Sequence, residues 1–204
     1  QKNQKIVIEP KTNYTIGRFE LPVINNISRI GLMVTNVQRK SNPGATVTGL
    51  DWNLGLLDNK LFTNGQMVRS NVDNITGNAI RFNLGYIDPL WWSANFWYGN
   101  YGDKFDVNDL GYLRRNDINW IGGKVELRKQ EPWGNFINNK IEFKYKQEWR
   151  GDGLVLQKGL DIVQENLFSN YWRVGFFSKV FLPAYNDNDI FRVDNAWAYK
   201  TELL

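Results

Sequence analysis

The chain has 204 residues, 25 Lys and Arg against 21 Asp and Glu, and neither Cys nor His. It therefore holds no disulfide, no thiolate or imidazole metal site, and no catalytic dyad or triad built on His. A formal charge of +4 with no basic run leaves no electrostatic footprint for nucleic acid, and no apolar run reaches the roughly 18 residues of a transmembrane helix.

The length fits one large β domain over residues 1–204. Gln1 opens a polar stretch with no secretory leader, so the chain reads as mature or as a segment of something longer. Gln4–Glu9 reads as a short strand closed by Pro10, and Tyr14–Glu20 as a second one interrupted by Leu21-Pro22. From Ser28, Ile30, Leu32 and Val34 alternate with Arg29, Gly31 and Met33, and the run Ser41–Gly44 is a strong breaker. Thr46–Leu57 follows with Thr48, Leu50, Trp52, Leu54 and Leu56 on one face and small or polar residues on the other. Asp58-Asn59 makes a tight hairpin, Lys60–Asn71 returns as a weaker strand, and Val72–Gly77 reads as a longer loop.

Ile80, Phe82, Leu84 and Tyr86 alternate next, and Asp88-Pro89 turns the chain into Leu90–Gly99. That strand presents Trp92, Ala94, Phe96 and Tyr98 on one face and Trp91, Ser93, Asn95 and Trp97 on the other. Gly99–Asn119 breaks the alternation for a long interval. Trp120–Lys129 resumes it, Glu131–Asn139 reads as a turn, and Ile141–Arg150 sets five charged residues against an aromatic and aliphatic face. Leu154–Phe168 is ambiguous between loop and strand. Ser169-Asn170 is a short turn, Tyr171–Leu182 a clear strand, and Pro183–Asp189 an acidic loop; Phe191–Leu204 yields no assignment.

The strands run to about ten residues, against five or six in ordinary sheets, and about ten tilted residues cross a bilayer core. Tight turns at 58–59, 88–89 and 169–170 alternate with longer connections at 41–44, 72–77, 99–119 and 183–189, while Glu131–Asn139, on the tight side, is only middling. Long strands, alternating loop lengths and aromatics near strand ends predict an all-β fold: an antiparallel transmembrane β-barrel, or a large arc of one, with long loops on one side and short turns on the other. The same polar faces would also suit a soluble β-sandwich, which stays the alternative.

The interval 99–119 mixes Phe105, Val107, Leu110, Tyr112 and Leu113 with charges, so it reads as an ordered inserted loop that docks into the barrel lumen or across its mouth. Its candidate site residues are Asp103, Phe105, Asp106, Asn108, Asp109, Arg114 and Arg115. Arg114 or Arg115 is expected to pair with an inward carboxylate such as Glu126, Glu142 or Glu148. Trp91 and Trp97 are glycan-stacking candidates, with packing against the docked loop as the plainer reading. Asp103, Asp106, Asp109 and Asp117 could in principle hold Ca²⁺, as could Asp187 and Asp189, but they lack the EF-hand spacing. They read as turn caps, so no metal and no cofactor is expected. Without His or Cys an enzyme would need a carboxylate pair, Asp103/Asp106 or Glu142/Glu148, as in a membrane-anchored hydrolase; the leading reading involves no chemistry.

The run FDVNDLGYLRRND (Phe105–Asp117) resembles a characteristic motif of bacterial outer-membrane barrel proteins of unassigned function. YTIGRFE (Tyr14–Glu20), SRIGLMVTN (Ser28–Asn36), TGLDWNLGLLDNKLFTNGQ (Thr48–Gln66), NDINWIGGKVELRKQEPWG (Asn116–Gly134) and FSNYWRVGF (Phe168–Phe176) are similar too and fall in the family's order. Members pair a family-9-type carbohydrate-binding domain with a larger C-terminal barrel; that domain has no counterpart here, and the tail from Asp189 departs from the family's next strand region. The resemblance implies a bacterial outer-membrane barrel with lipid around it. Its expected role is a channel or docking element for an envelope substrate or partner. Other envelope proteins and a glycan are the conceivable partners; nucleic acid is not one.

Overall fold

The computed structural model describes residues 11–40, 44–186 and 198–200 of the chain. Ten strands form one antiparallel sheet in simple sequence order. They are β1 (Thr12–Pro22), β2 (Arg29–Arg39), β3 (Ala45–Leu56), β4 (Leu61–Val72), β5 (Ile75–Ile87), β6 (Trp92–Tyr101), β7 (Ile118–Lys129), β8 (Phe136–Arg150), β9 (Val155–Phe168) and β10 (Arg173–Phe181). A separate short pair, β11 (Ala184–Asn186) and β12 (Ala198–Lys200), follows. The expected strand at Gln4–Glu9, most of the breaker at 41–44, Asp187, Asp189 and most of the tail lie outside the described residues.

The sheet is all-β and antiparallel, as the alternation predicts, and it is open: β1 and β10 are its two edges. Closure into a barrel is therefore not seen among the described residues. Pro22 does not cut β1 short as expected, because β1 is an edge strand, where a residue without an N–H costs the ladder least.

Register sorts the side chains into two faces. Phe19, Leu32, Leu50, Met67 and Ile80 are successive cross-strand partners. Leu84, Phe96, Gly123, Tyr145 and Leu160 continue the same face across β5–β9. Along each strand from β2 to β8, three or four consecutive positions of this face are apolar or small, and polar residues flank the band: Asn36, Arg69, Asn78, Asn100, Asn119 and Gln147. Nothing among the described residues covers it. Phe19 and Phe176 are both 60 % exposed, and Leu32, Leu50, Met67, Leu84, Val125 and Phe143 all stay open. The opposite face carries Arg18, Asp51, Gln66, Arg81, Lys124, Glu142 and Lys144 with several glycines.

Aromatic rings lie over glycines on both faces. A Cβ on Gly65 would meet the Trp52 ring at 2.4 Å, one on Gly85 the Phe62 ring at 2.1 Å, one on Gly99 the Trp120 ring at 2.0 Å, and one on Gly122 the Trp97 ring at 2.2 Å. Each bare glycine lets a neighbouring ring lie flat on the sheet, a device that pins register.

The expected alternation of long and short connections is not observed. Val72–Gly77 is a two-residue hairpin turn in which Asp73 (φ 52°) and Asn74 (φ 64°) both take the left-handed conformation, so β4 and β5 run nearly into one another. Asp and Asn adopt that region readily, and the six-residue window hid a tight turn. Among the described connections of the ten-stranded sheet only 102–117 is long. The turns at the end opposite to it carry exposed Ile24, Leu57, Trp91, Trp133, Tyr171 and Trp172. Ile24 (φ 62°), Leu57 (φ 51°) and Tyr171 (φ 65°) are left-handed despite their bulk. That conformation costs an L residue roughly 1–2 kcal/mol, most for a β-branched one.

Candidate functional site

The polar face divides into three zones. At the end of β2–β5 nearest the long connection, residues 102–117 fold back over it. Phe105 is 4 % exposed and is one of the few buried apolar side chains among the described residues, with Val37, Ala45 and Ala79 of the strands beneath and Ala184 of β11. Phe105 stacks near Tyr101 (ring centroids 5.6 Å apart), and Tyr101 meets the edge of Trp120 at 4.8 Å. The Asp106 N–H donates to the Oγ of Ser70 at 3.1 Å, satisfying a hydroxyl that is fully shielded from solvent. Gly77 passes directly under the loop: a Cβ there would lie 2.2–2.3 Å from Lys104 O and C and Phe105 N. Val107, Leu110 and Gly111 line a shallow cavity with Met33, Val47 and Val68.

Internal bonds shape the loop. Asp106 Oδ1 accepts from the Asn108 backbone (2.9 Å) and Nδ2 (2.8 Å), and Asn108 Oδ1 accepts the Leu113 N–H at 2.8 Å. Asn116 Nδ2 donates to the Asp103 and Phe105 carbonyls at 2.6 and 3.3 Å. Asp109 pairs with Arg39 of β2, both groups largely removed from water. In this contact the strand supplies the cation and the loop the carboxylate. Glu126, Glu142 and Glu148 pair with Lys124, Arg128 and Lys146 of their own and the neighbouring strand, and Arg114 is exposed on the loop.

The second zone is a charge lattice over β7–β10. Lys124 reaches Glu142 at 3.3 Å and Glu126 at 3.9 Å, Arg128 reaches Glu126 at 3.5 Å, Lys140 reaches Glu165 at 3.3 Å, and Lys144 reaches Asp161 at 3.9 Å. Glu142 and Glu148 stand on one strand six residues apart, about 20 Å at 3.3 Å per residue. Glycosidase carboxylates lie roughly 5–9.5 Å apart. Among the described residues no three carboxylates gather as a metal cluster; Asp106 and Asp109 are engaged as above, and Asp103 is exposed.

The third zone lies between them, in the middle of β3–β7. Here the Trp97 ring covers Gly122 of β7. Trp91 is not beside it. It sits in the β5–β6 turn, where its N–H and that of Leu90 donate to Asp88 Oδ1 at 2.8 and 2.9 Å and hold the Asp88 carboxyl below its ordinary value. The two indoles form no joint platform. Asn64, Gln66, Arg81, Asn83, Trp97 and Trp120 instead line one polar depression with Arg18 and Asp51.

A family profile matches residues 1–201: Domain of unknown function (DUF5916). The chain belongs to the DUF5916 family. No curated protein and no solved structure matches it. The DUF5916 description carries no activity, so the functional reading rests on the sheet itself. Arg39, Ser70 and Gly77, which seat the loop, escaped the sequence reading. A lone Arg, Ser or Gly on a strand gives no signal until register places it beneath a segment some thirty to seventy residues further along the chain.

Proposed function

We propose that this sheet is an arc of an outer-membrane β-barrel wall. Its apolar face meets lipid, and its polar face meets a hydrated interior through which an envelope substrate passes or at which a partner docks. The observation that carries this reading is the apolar face: it spans the whole sheet, and neither a second sheet nor a helix covers it among the described residues. An exposed contiguous apolar surface of this size has no place in a water-soluble monomer. The opposite face holds paired charges, glycines and amides, the composition of a wet lumen.

Two further features agree. The ten strands have 9–15 residues each, enough to cross a hydrocarbon core at a tilt. The turns at one end carry Trp91, Trp133, Tyr171 and Trp172, amphipathic rings suited to a lipid–water boundary, and Ile24 and Leu57 keep apolar side chains where Gly or Asn would relieve strain.

Detergent dependence tests the reading. The purified chain should keep its strand content by circular dichroism, and stay in solution, only with detergent or lipid. A folded, monodisperse chain in plain buffer would overturn it.

A further inference from the structure

The polar face carries ion pairs and loop contacts at its ends, where Arg128 Nε is one buried atom without a partner, and is bonded least in its middle zone. On the apolar face, beyond the band, amides at facing positions bond across strands: Asn100 to Asn119 at 2.6 Å and Asn139 to Asn166 at 2.7 Å. On the polar face Asn53, Asn64 and Asn83 are likewise direct cross-strand partners, and the row ends at Trp97. Yet none of these three side-chain amides has a bonding partner among the described residues, and Asn83 Oδ1 is buried without one. In the next row Gln66 faces Arg81, and neither side chain has a partner among the described residues. Arg18, across the depression, is fully engaged with Asp51 (2.9 Å, twice) and Glu20 (3.0 Å).

We infer that this depression is a saccharide subsite on the inner wall. Its chemistry is that of sugar recognition: amide donors and acceptors for vicinal hydroxyls, and one guanidinium not neutralised by a neighbour. Two indole rings, held by Gly122 and Gly99 beneath their edges, offer apolar surface to the C–H face of a pyranose ring. The row Asn53–Asn64–Asn83–Trp97 covers three inter-strand spacings, about 14 Å, the reach of a short linear oligosaccharide. Fixed cross-strand positions and glycine-seated rings hold these groups in place before a sugar arrives, which lowers the ordering cost of binding. A bare cation without amides or rings would suit a phosphate equally; the amide row and the indoles favour a polyhydroxylated ring. The inference rests on the barrel reading only for what brings sugar to this face.

Titration calorimetry on the detergent-solubilised chain tests it, with maltohexaose and tetragalacturonate as separate probes. At least one should bind saturably with millimolar affinity or better. Arg81→Ala and Asn83→Ala should each weaken that binding about tenfold, the loss of one well-placed hydrogen bond to a charged or buried group. Trp97→Leu should weaken it further; if that variant does not fold, the two polar substitutions decide. Lys144→Ala, in the bonded lattice, should leave affinity unchanged. No saturable heat with either sugar, or binding that survives both Arg81→Ala and Asn83→Ala, overturns the inference. If sugar binding fails while the lipid-facing pattern of β8 holds, the subsite falls and the barrel reading stands.

Discussion

A single methyl group should unseat the loop. Gly77 is a β5 residue of ordinary backbone conformation, so Gly77→Ala adds no strain of its own. Its Cβ would press on backbone atoms of Lys104 and Phe105 at 2.2–2.3 Å, more than 1 Å inside normal contact. Backbone cannot rotate aside as a side chain can; β5 is held at Gly77 by its ladder with β4 and from Ala79 onward by that with β6 as well, so the loop must lift. Lifting forfeits the burial of Phe105, about 1.5–3 kcal/mol, and the Ser70–Asp106 bond, about 0.5–1.5 kcal/mol. The Arg39–Asp109 pair adds up to about 1 kcal/mol. The sum, about 2–5.5 kcal/mol, corresponds to roughly a 30- to 8,000-fold rise in the open population. When loop opening is fast relative to cleavage, proteolysis reads that population directly. Trypsin cleavage at Arg114 and Arg115 in folded protein should therefore accelerate by at least about 30-fold, with circular dichroism unchanged. Cleavage at the wild-type rate would refute the docking argument, since no rearrangement that leaves the loop seated has room for the methyl group.

The faces make a paired prediction: Phe143→Arg should cost about 2–4 kcal/mol in a folding assay from urea into lipid, and Lys144→Ala well under 1 kcal/mol. Similar costs at both positions would deny that β8 separates lipid from water. Chelation with EDTA should leave the melting temperature unchanged; a fall reversed by Ca²⁺ would make Asp103, Asp106 and Asp109 ligands. Asp152, in the β8–β9 turn, is held at about 2 against an ordinary 3.8, first by Arg150 and then by the Leu154 N–H. Because its folded pKa is depressed, its contribution is complete above about 4 and is lost as pH falls toward 2. Arg150→Gln should move the Asp152 carboxyl midpoint upward by NMR titration, and an unmoved midpoint would contradict the assignment of cause.

Strand positions were legible wherever one face was apolar and the other was not. β3, β5, β7 and the body of β8 fall within a few residues of the alternation, because a one-residue slip would turn every apolar side chain to the wrong face. β9 was illegible for two reasons. Its apolar face shrinks to Leu160 and Ile162 between Lys158 and Gln164, and the register slips at both ends of its pairing with β8, so period two is lost. Turn lengths misled at Asp73-Asn74, where two residues suffice and flanking Val72 and Ile75 already belong to strands. The loop's docking was readable from its apolar anchors, but its partner was not. Arg39 and Asp109 are 70 positions apart, and only the meander brings them together. The amide row on β3–β5 is likewise invisible in the chain, since Asn53, Asn64 and Asn83 become neighbours through register alone.

The central claim is that one face of this sheet meets lipid, and the absence of Cys makes it directly measurable. Single cysteines placed from Lys140 to Gln147 along β8 and spin-labelled in liposomes would each report collision rates with oxygen and with a water-soluble nickel chelate. Oxygen accessibility should peak at Ile141, Phe143 and Tyr145, and nickel accessibility at Glu142, Lys144 and Lys146, alternating with a period of two. A flat profile, or nickel accessibility equal on both faces, would contradict the account.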